Sequence, residues 1–203
     1  MSHKRITRSF YSRPSPVVAP ELLGALLHRK LGAEVLVGRI VETEAYASYD
    51  PASHSFRGKT SRNAIMFGEA GFSYVYFTYG MHYCFNVSCE PEGIAQAVLI
   101  RALEPVSGIE TMKKHRTKAK RDVDLANGPG KLCQALSMTR SENGIDLVTS
   151  DEVFLTEGSR VESDAIGVSS RVGISVGQEY PWRFFIKENA FVSSGRPSAV
   201  SLE

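Results

Sequence analysis

The segment FSYVYFTYGMHYCFNVSC, residues 72–89, leaves the chain the fewest folding options. Seven of its eighteen residues are aromatic, and Tyr79-Gly80 breaks it in the middle. Aromatic and β-branched residues favour extended backbone, and a glycine permits the tight reversal, so the segment predicts a β-hairpin. A lone hairpin is only marginally stable in water and needs further strands beside it. VLVGRIVETEAY supplies one or two strands around 35–45, and AQAVLIRALEP supplies a buried strand stopped by Pro105. Helices are predicted over PELLGALLHRKL, residues 20–31, ending near Gly32, over residues 107–120, and at GPGKLCQALSM after a glycine turn. Residues 47–63 read as a long polar loop, and short strands with turns follow Glu152, including SSRVGIS and PWRFFIKENAFVS. Strands interspersed with a few helices, without a βαβ rhythm, predict an α+β fold in one domain.

Length and composition suit that reading. The 203 residues are 42% hydrophobic and 23% charged, a globular balance that excludes disorder and fibrous repeats. No apolar run approaches the roughly 20 residues that cross a bilayer, so no membrane role is expected. The start, MSHKRITRSFYSRP, has basic residues without an apolar core and does not read as a signal peptide. Cys84, Cys89 and Cys133 are too few and too unevenly placed for a disulfide framework or a Cys-rich zinc site. The formal net charge is only +2, yet basic charge is segregated: KKHRTKAKR, residues 113–121, holds six Lys/Arg in nine residues. The N-terminal arm adds Lys4, Arg5, Arg8 and Arg13. Such blocks serve phosphate attraction or simply form a solvated face.

Several side chains could do chemistry. Glu42 and Glu44 stand two apart on a strand and so share a face, suited to general-base work if buried and to nothing if solvated. His54 lies in the loop, where it could polarise a substrate. No HxH, HExxH or CxxC pattern occurs, so no metal site is expected, and no GxSxG or P-loop motif is present. Tyr74 and Tyr76 share a strand face, and Tyr79 stands at the hairpin tip. Rings so placed either enter a base stack or pack a core. Asn86 and Arg101 are polar residues inside apolar strands, where burial demands partners. GPGK sets glycine amides and Lys131 at a helix start.

The succession of these blocks carries more than any one of them. ETEAY, a loop with AxH, TSRN with MF, YVYFTYGMHYCFNVS, VLIRALEP, GPGKLCQAL, and finally RVGIS with PWRFF closely resembles the alkyladenine-type 3-methyladenine DNA glycosylases, from about residue 8 to residue 193. The fold expected with it is one α+β domain over 1–203, a curved, mostly antiparallel sheet flanked by short helices with a protruding hairpin. Residues 1–7 are expected as a mobile basic arm and 194–203 as a flexible tail. The resemblance implies that Glu44 activates the attacking water, that Arg101 helps hold it, and that the carbonyl of Val172 is its third partner. It implies that Tyr46, His54 and Tyr76 enclose the extruded base, and that Asn86 disfavours guanine by clashing with its exocyclic amine. Tyr79 matches the tyrosine that fills the gap left by the flipped nucleotide, and Thr60, Arg62 and Lys131 match backbone-contacting positions. The 113–121 run matches no block.

The activity so implied is monofunctional glycosylase action in base excision repair. Damaged purines in duplex DNA, alkylated or deaminated, would be flipped out and their N-glycosidic bond hydrolysed. 3-Methyladenine and 7-methylguanine head the expected substrates, with hypoxanthine and ethenoadenine after them, and no metal or organic cofactor is required. A monomer is expected, nucleoid-associated in the cytoplasm of a prokaryote or nuclear in a eukaryote. A non-catalytic architectural DNA-binding protein would use the same basic blocks and wedging tyrosine without needing Glu44. A small-molecule transferase on a similar scaffold would lack salt-dependent DNA affinity.

Overall fold

The structure, a computed structural model, describes residues 4–78 and 80–198. Two short helices, α1 (Arg8–Tyr11) and α2 (Ser15–Glu21), lead into β1 (Leu26–Leu31) and the long β2 (Glu34–Tyr46). The predicted hairpin follows as β3 (Ser73–Thr78) and β4 (His82–Cys89), then β5 (Gln96–Ser107). Helices α3 (Ile109–His115) and α4 (Pro129–Ala135) precede three short strands, β6 (Val153–Thr156), β7 (Ile166–Ser169) and β8 (Arg183–Ile186). The strands form one antiparallel sheet in the order β3-β4-β5-β2-β1-β6, with β8 joining β2 and β7 pairing with β8. The α+β fold expected from the sequence is therefore found.

Strand β2 is the spine of the sheet. Its first half pairs with β1, its second half with β8 through Glu42, Thr43 and Glu44, and β5 runs along its other edge. Its register against β5 shifts between Ile40 and Glu42 and again between Glu42 and Thr43. Such bulges bend a strand and increase its twist, which curls the sheet. Burial changes character at the same place: it alternates over 35–40, then stays continuous from Ile40 to Ala45. The bulged half of β2 thus carries its glutamates into the interior. The main core packs Tyr11, Leu27, Phe85, Ile100, Leu103 and Leu132, while a smaller cluster of Met66, Tyr74, Ala95 and Ala97 lies beside the hairpin.

Four local expectations are corrected. The helix predicted over 20–31 ends at Glu21; Gly24 turns the chain with φ 86°, and LLHRKL becomes β1 between β2 and β6. The period-2 burial of Leu27 and Arg29 was hidden in a run that also fits a helical stripe. Strand β5 passes Pro105, which sits opposite Gly38 beside a register shift, and bulges are where strands tolerate proline. The helix predicted to run to 120 stops at His115, where Arg116 turns back to the carbonyls of Asp124 and Leu125 and to Gln134. RVGIS forms no strand but a single bridge, Val172 to Pro197.

Both expected free ends are held where they are described. Residues 1–3 and 199–203 lie outside the described residues. Arg5 bonds the carbonyls of Val148 and Ser150 and pairs with Asp151, and the Ile6 amide bonds Leu155 beside β6. The arm is thus pinned from Arg5, and the tail is bridged at Pro197. The basic run is also partly consumed by internal contacts, Lys113 with Glu110 and Asp122, and Arg121 with Asp124.

Ile100 is fully buried in β5 and Val168 is 54% exposed in β7. Ile100→Ala is expected to lower stability by about 2–5 kcal/mol, through lost transfer energy and a residual cavity. Val168→Ala is expected to stay within about 0.5 kcal/mol of the parent protein. Urea unfolding with an unchanged m-value checks both.

Candidate active site

The bulge in β2 brings Glu42 and Glu44 to one buried face, and Arg101 reaches them from the neighbouring β5. Its Nε donates to Glu42 Oε1 at 3.1 Å and its Nη1 lies 3.3 Å from Glu44 Oε2. Both carboxylates are fully buried and Arg101 is nearly so. Burial opposes the charge on Arg101, but Glu44 and then Glu42 outweigh it and raise its pKa further. Arg183 on β8 adds a second buried guanidinium, its Nε 2.6 Å from Glu42 Oε1. Two carboxylates thus face two guanidiniums, and no charge in the cluster is left uncompensated, which would be strongly destabilising.

The partners of the two glutamates differ. Glu42 accepts from Arg101, from Arg183, and from both the backbone N–H and the hydroxyl of Ser193, at 2.7 and 2.9 Å. It is saturated with donors and acts as an internal counterion. Glu44 accepts the Val172 N–H at 2.7 Å and the Tyr46 hydroxyl at 2.8 Å, with Arg101 as its third partner. Those three partners all line one cavity. Burial, then the neighbouring Glu44, push the Tyr46 phenol well above its ordinary pKa, so it remains a donor.

The cavity holds about 360 Å³, within the range of small-molecule sites. Its walls are aromatic and polar: Tyr46, His54, Tyr74, Tyr76, Asn86 and Cys84 among them. His54 meets Tyr76 edge-on at 4.6 Å between ring centres, and its Nδ1 lies 2.9 Å from the Tyr74 hydroxyl. Burial and then the cation Arg62 hold the His54 imidazole below its ordinary pKa, favouring the neutral ring. Burial pushes the Tyr74 phenol up to about 12, and Tyr76 also goes up, through burial and then Cys84. Asn86, opposite Tyr74 in the hairpin register, donates its amide to the Tyr74 carbonyl at 2.9 Å. No group of three or more His, Cys, Asp and Glu among the described residues is placed to hold a metal ion.

The residues singled out from sequence fall into three sets. Tyr46, His54, Tyr76, Asn86, Arg101 and Val172 line the cavity, and Glu44, fully buried, is held by three of them, Tyr46, Arg101 and Val172. The structure places the Val172 backbone at Glu44 through its N–H. Arg62 and Thr60 stand exposed on the adjoining loop, Arg62 with its guanidinium 5.2 Å from the Tyr76 ring centre. Lys131, on α4, donates to the Asn127 side chain at 2.8 Å. Tyr79 lies outside the described residues.

Three supports escaped the sequence reading. Arg171 is fully buried, pairs with Asp50 through both terminal nitrogens, bonds the carbonyls of Ala45 and Gly177, and stacks on Tyr46 at 4.6 Å. Its pKa is raised because Asp50 outweighs the opposing effect of burial. Asn63 ties the loop by donating to the carbonyls of His54 and Gly58 at 2.8 and 3.0 Å. Ser193 serves Glu42. The only signal for Arg171 was its place beside Val172 in RVGIS, and nothing local marked Asp50 as its partner.

Comparison with known proteins matches this arrangement to a family. The model of the methylpurine-DNA glycosylase family matches residues 9–190. A protein of Carboxydothermus hydrogenoformans is 48% identical over 188 residues, covering 93% of this chain and 98% of its own. One from Francisella tularensis is 49% identical over 177 residues, covering 86% and 91%, and one from Burkholderia orbicola is 47% identical over 195 residues, covering 95% and 92%. All three carry the provisional name 3-methyladenine DNA glycosylase. A chain matched over nearly its whole length by this model, and at almost half identity by such relatives, belongs to the methylpurine-DNA glycosylase family.

Proposed function

We propose that this DNA glycosylase releases alkylated purines, 3-methyladenine and 7-methylguanine foremost, from duplex DNA by water attack directed by Glu44, leaving an abasic site. The observation that carries the reading is the position of Glu44: fully buried, yet each of its three partners, Tyr46, Arg101 and Val172, lines the aromatic cavity. A damaged nucleotide flips out of the stack, which costs least at a lesion. Its base lies among Tyr46, Tyr76 and His54. N3- or N7-alkylated purines are cations, so electron-rich rings and a neutral imidazole attract them where a charged imidazole would repel. Tyr79 fills the vacated place in the duplex. Thr60, Arg62 and Lys131 contact the DNA backbone, and Asn86 disfavours guanine.

The chemistry then follows from charge. As the N-glycosidic bond breaks, its electron pair passes to the base and the sugar gains oxocarbenium character. Glu44, beside the sugar, stabilises that positive charge and takes a proton from the water whose oxygen bonds to the anomeric carbon. Arg101 and the Val172 backbone hold that water. A cationic base leaves without an acid. No lysine is among the described residues lining the cavity, and without an amine nucleophile there the reading is monofunctional hydrolysis, with neutral hypoxanthine and ethenoadenine as slower substrates. The protein works as a monomer.

Base release from lesion-bearing duplexes in the absence of metal tests this. Free base is expected, with strand breaks appearing only after alkali, and cationic lesions released faster than neutral ones. Strand breaks without alkali would exclude the monofunctional reading. Glu44→Gln is expected to lower the single-turnover rate by about 10²–10⁴-fold while retaining affinity for the duplex. Excision at the parent rate by that variant would sink the assignment, and tight binding by the wild-type protein without any release would favour the architectural role. His54 supplies a pH test with a definite sign. Its pKa is lowered, so the ring is neutral through the neutral range and gains charge only on further acidification. Affinity for a 7-methylguanine duplex is expected to fall more steeply at acid pH in the wild type than in His54→Gln.

A further inference from the structure

Beyond residue 190, where the family match ends, the chain doubles back across the buried charge cluster. Ser193 gives Glu42 two hydrogen bonds, from its N–H and its hydroxyl. Two residues on, Gly195 passes so close to the site that a Cβ there would lie 2.8 Å from Val172 Cγ1 and 3.4 Å from Arg101 Nη2. Pro197 bridges with Val172. Ser198 then donates its N–H to the Arg171 carbonyl at 2.9 Å, accepts the Ile174 N–H on its hydroxyl at 3.1 Å, and accepts the Ser170 hydroxyl on its carbonyl at 2.7 Å. Within residues 193–198, Ser193 therefore bonds Glu42, Pro197 and Ser198 bond the 170–174 segment, and Gly195 passes beside Val172 and Arg101, the elements that surround Glu44.

We propose that residues 193–198 form a positioning strap that fixes Arg101 and the Val172 backbone against Glu44. The argument is a competition for one guanidinium. Arg101 is shared, Nε to Glu42 at 3.1 Å and Nη1 to Glu44 at 3.3 Å. The two donors of Ser193 relieve Glu42 of part of its need for cation, which leaves Nη1 to Glu44. Without them Glu42, fully buried, would draw the guanidinium toward itself. Gly195 acts by close approach: its backbone runs so near Val172 and Arg101 that even a Cβ there would crowd Val172 at 2.8 Å, so any side chain at 195 would push against the groups that hold Glu44. No strap residue lines the cavity among those described, so Ser193 and Gly195 are positioning residues, and their catalytic consequence rests on the role proposed for Glu44.

Full-length Ser193→Ala, Gly195→Val and Ser193→Thr test the strap. Three quantities are measured on each: the single-turnover release of 7-methylguanine, the Kd for the same duplex, and amide hydrogen exchange at Val172. Ser193→Ala and Gly195→Val are expected to slow release about 10–100-fold, the scale of a small misplacement of catalytic groups, with Kd unchanged. Exchange at Val172, whose N–H is held by Glu44, is expected to accelerate in both, and Ser193→Thr, which keeps the hydroxyl, restores rate and protection. Parent rates and parent exchange in both variants would overturn the strap. So would a loss of rate that tracks weaker DNA binding or a lower Tm and that threonine does not rescue. If the wild-type protein releases no base, the reading of Glu44 fails by itself. The exchange at Val172 still decides whether 193–198 holds the cluster.

Discussion

One guanidinium shared between two buried carboxylates organises this molecule. Arg101 joins β5 to the bulged half of β2 by reaching both Glu42 and Glu44. Charges so deep are tolerated only when paired and hydrogen-bonded, and the requirement spreads outward. Glu42 demands Arg183 from β8 and Ser193 from the returning chain; Glu44 demands Tyr46 and the Val172 backbone. The end of the sheet where β2, β5 and β8 meet is therefore fixed by electrostatics as much as by apolar packing.

The bulge is what makes this sharing possible. An unbroken strand sends alternate side chains to opposite faces, and β2 does so over 35–40 before the register shifts leave 40–45 buried throughout. The same distortion lets β2 change partner from β1 to β8, so a single local irregularity both curls the sheet and concentrates acid in its interior. Bulges recur beside active sites because they re-aim side chains in this way.

A second buried pair supports the cavity from behind. Asp50 and Arg171 lock the start of the long loop to the segment before Val172, and the flat guanidinium lies against Tyr46. Tyr46 is thus held by its hydroxyl on Glu44 and by its ring on Arg171. Its two degrees of side-chain freedom are thus removed by separate contacts, which preorganises this wall of the cavity.

Local sequence determined the local things. The hairpin, the strands around 35–45 and before Pro105 and the α+β character follow from side-chain period and a glycine turn, signals that act over a few residues. The order of the motif blocks placed Glu44, Tyr46, His54, Tyr76, Asn86, Arg101 and Val172 in one family pattern; the last six line one cavity and Glu44 is bonded behind it. Spacing could not separate Glu42 from Glu44, since two residues apart on a strand they are equivalent until their partners are known. The partners that separate them, Val172 for Glu44 and Arg183 and Ser193 for Glu42, lie more than a hundred residues away, as does Arg171, which pairs with Asp50. LLHRKL became a strand for a similar reason: its period fitted two structures, and pairing with β2 and β6 chose between them. What only the tertiary structure decided is which glutamate is tied up by Arg183 and Ser193 and which is held by residues that line the cavity, because that depends on donors that chain folding, not sequence proximity, delivers.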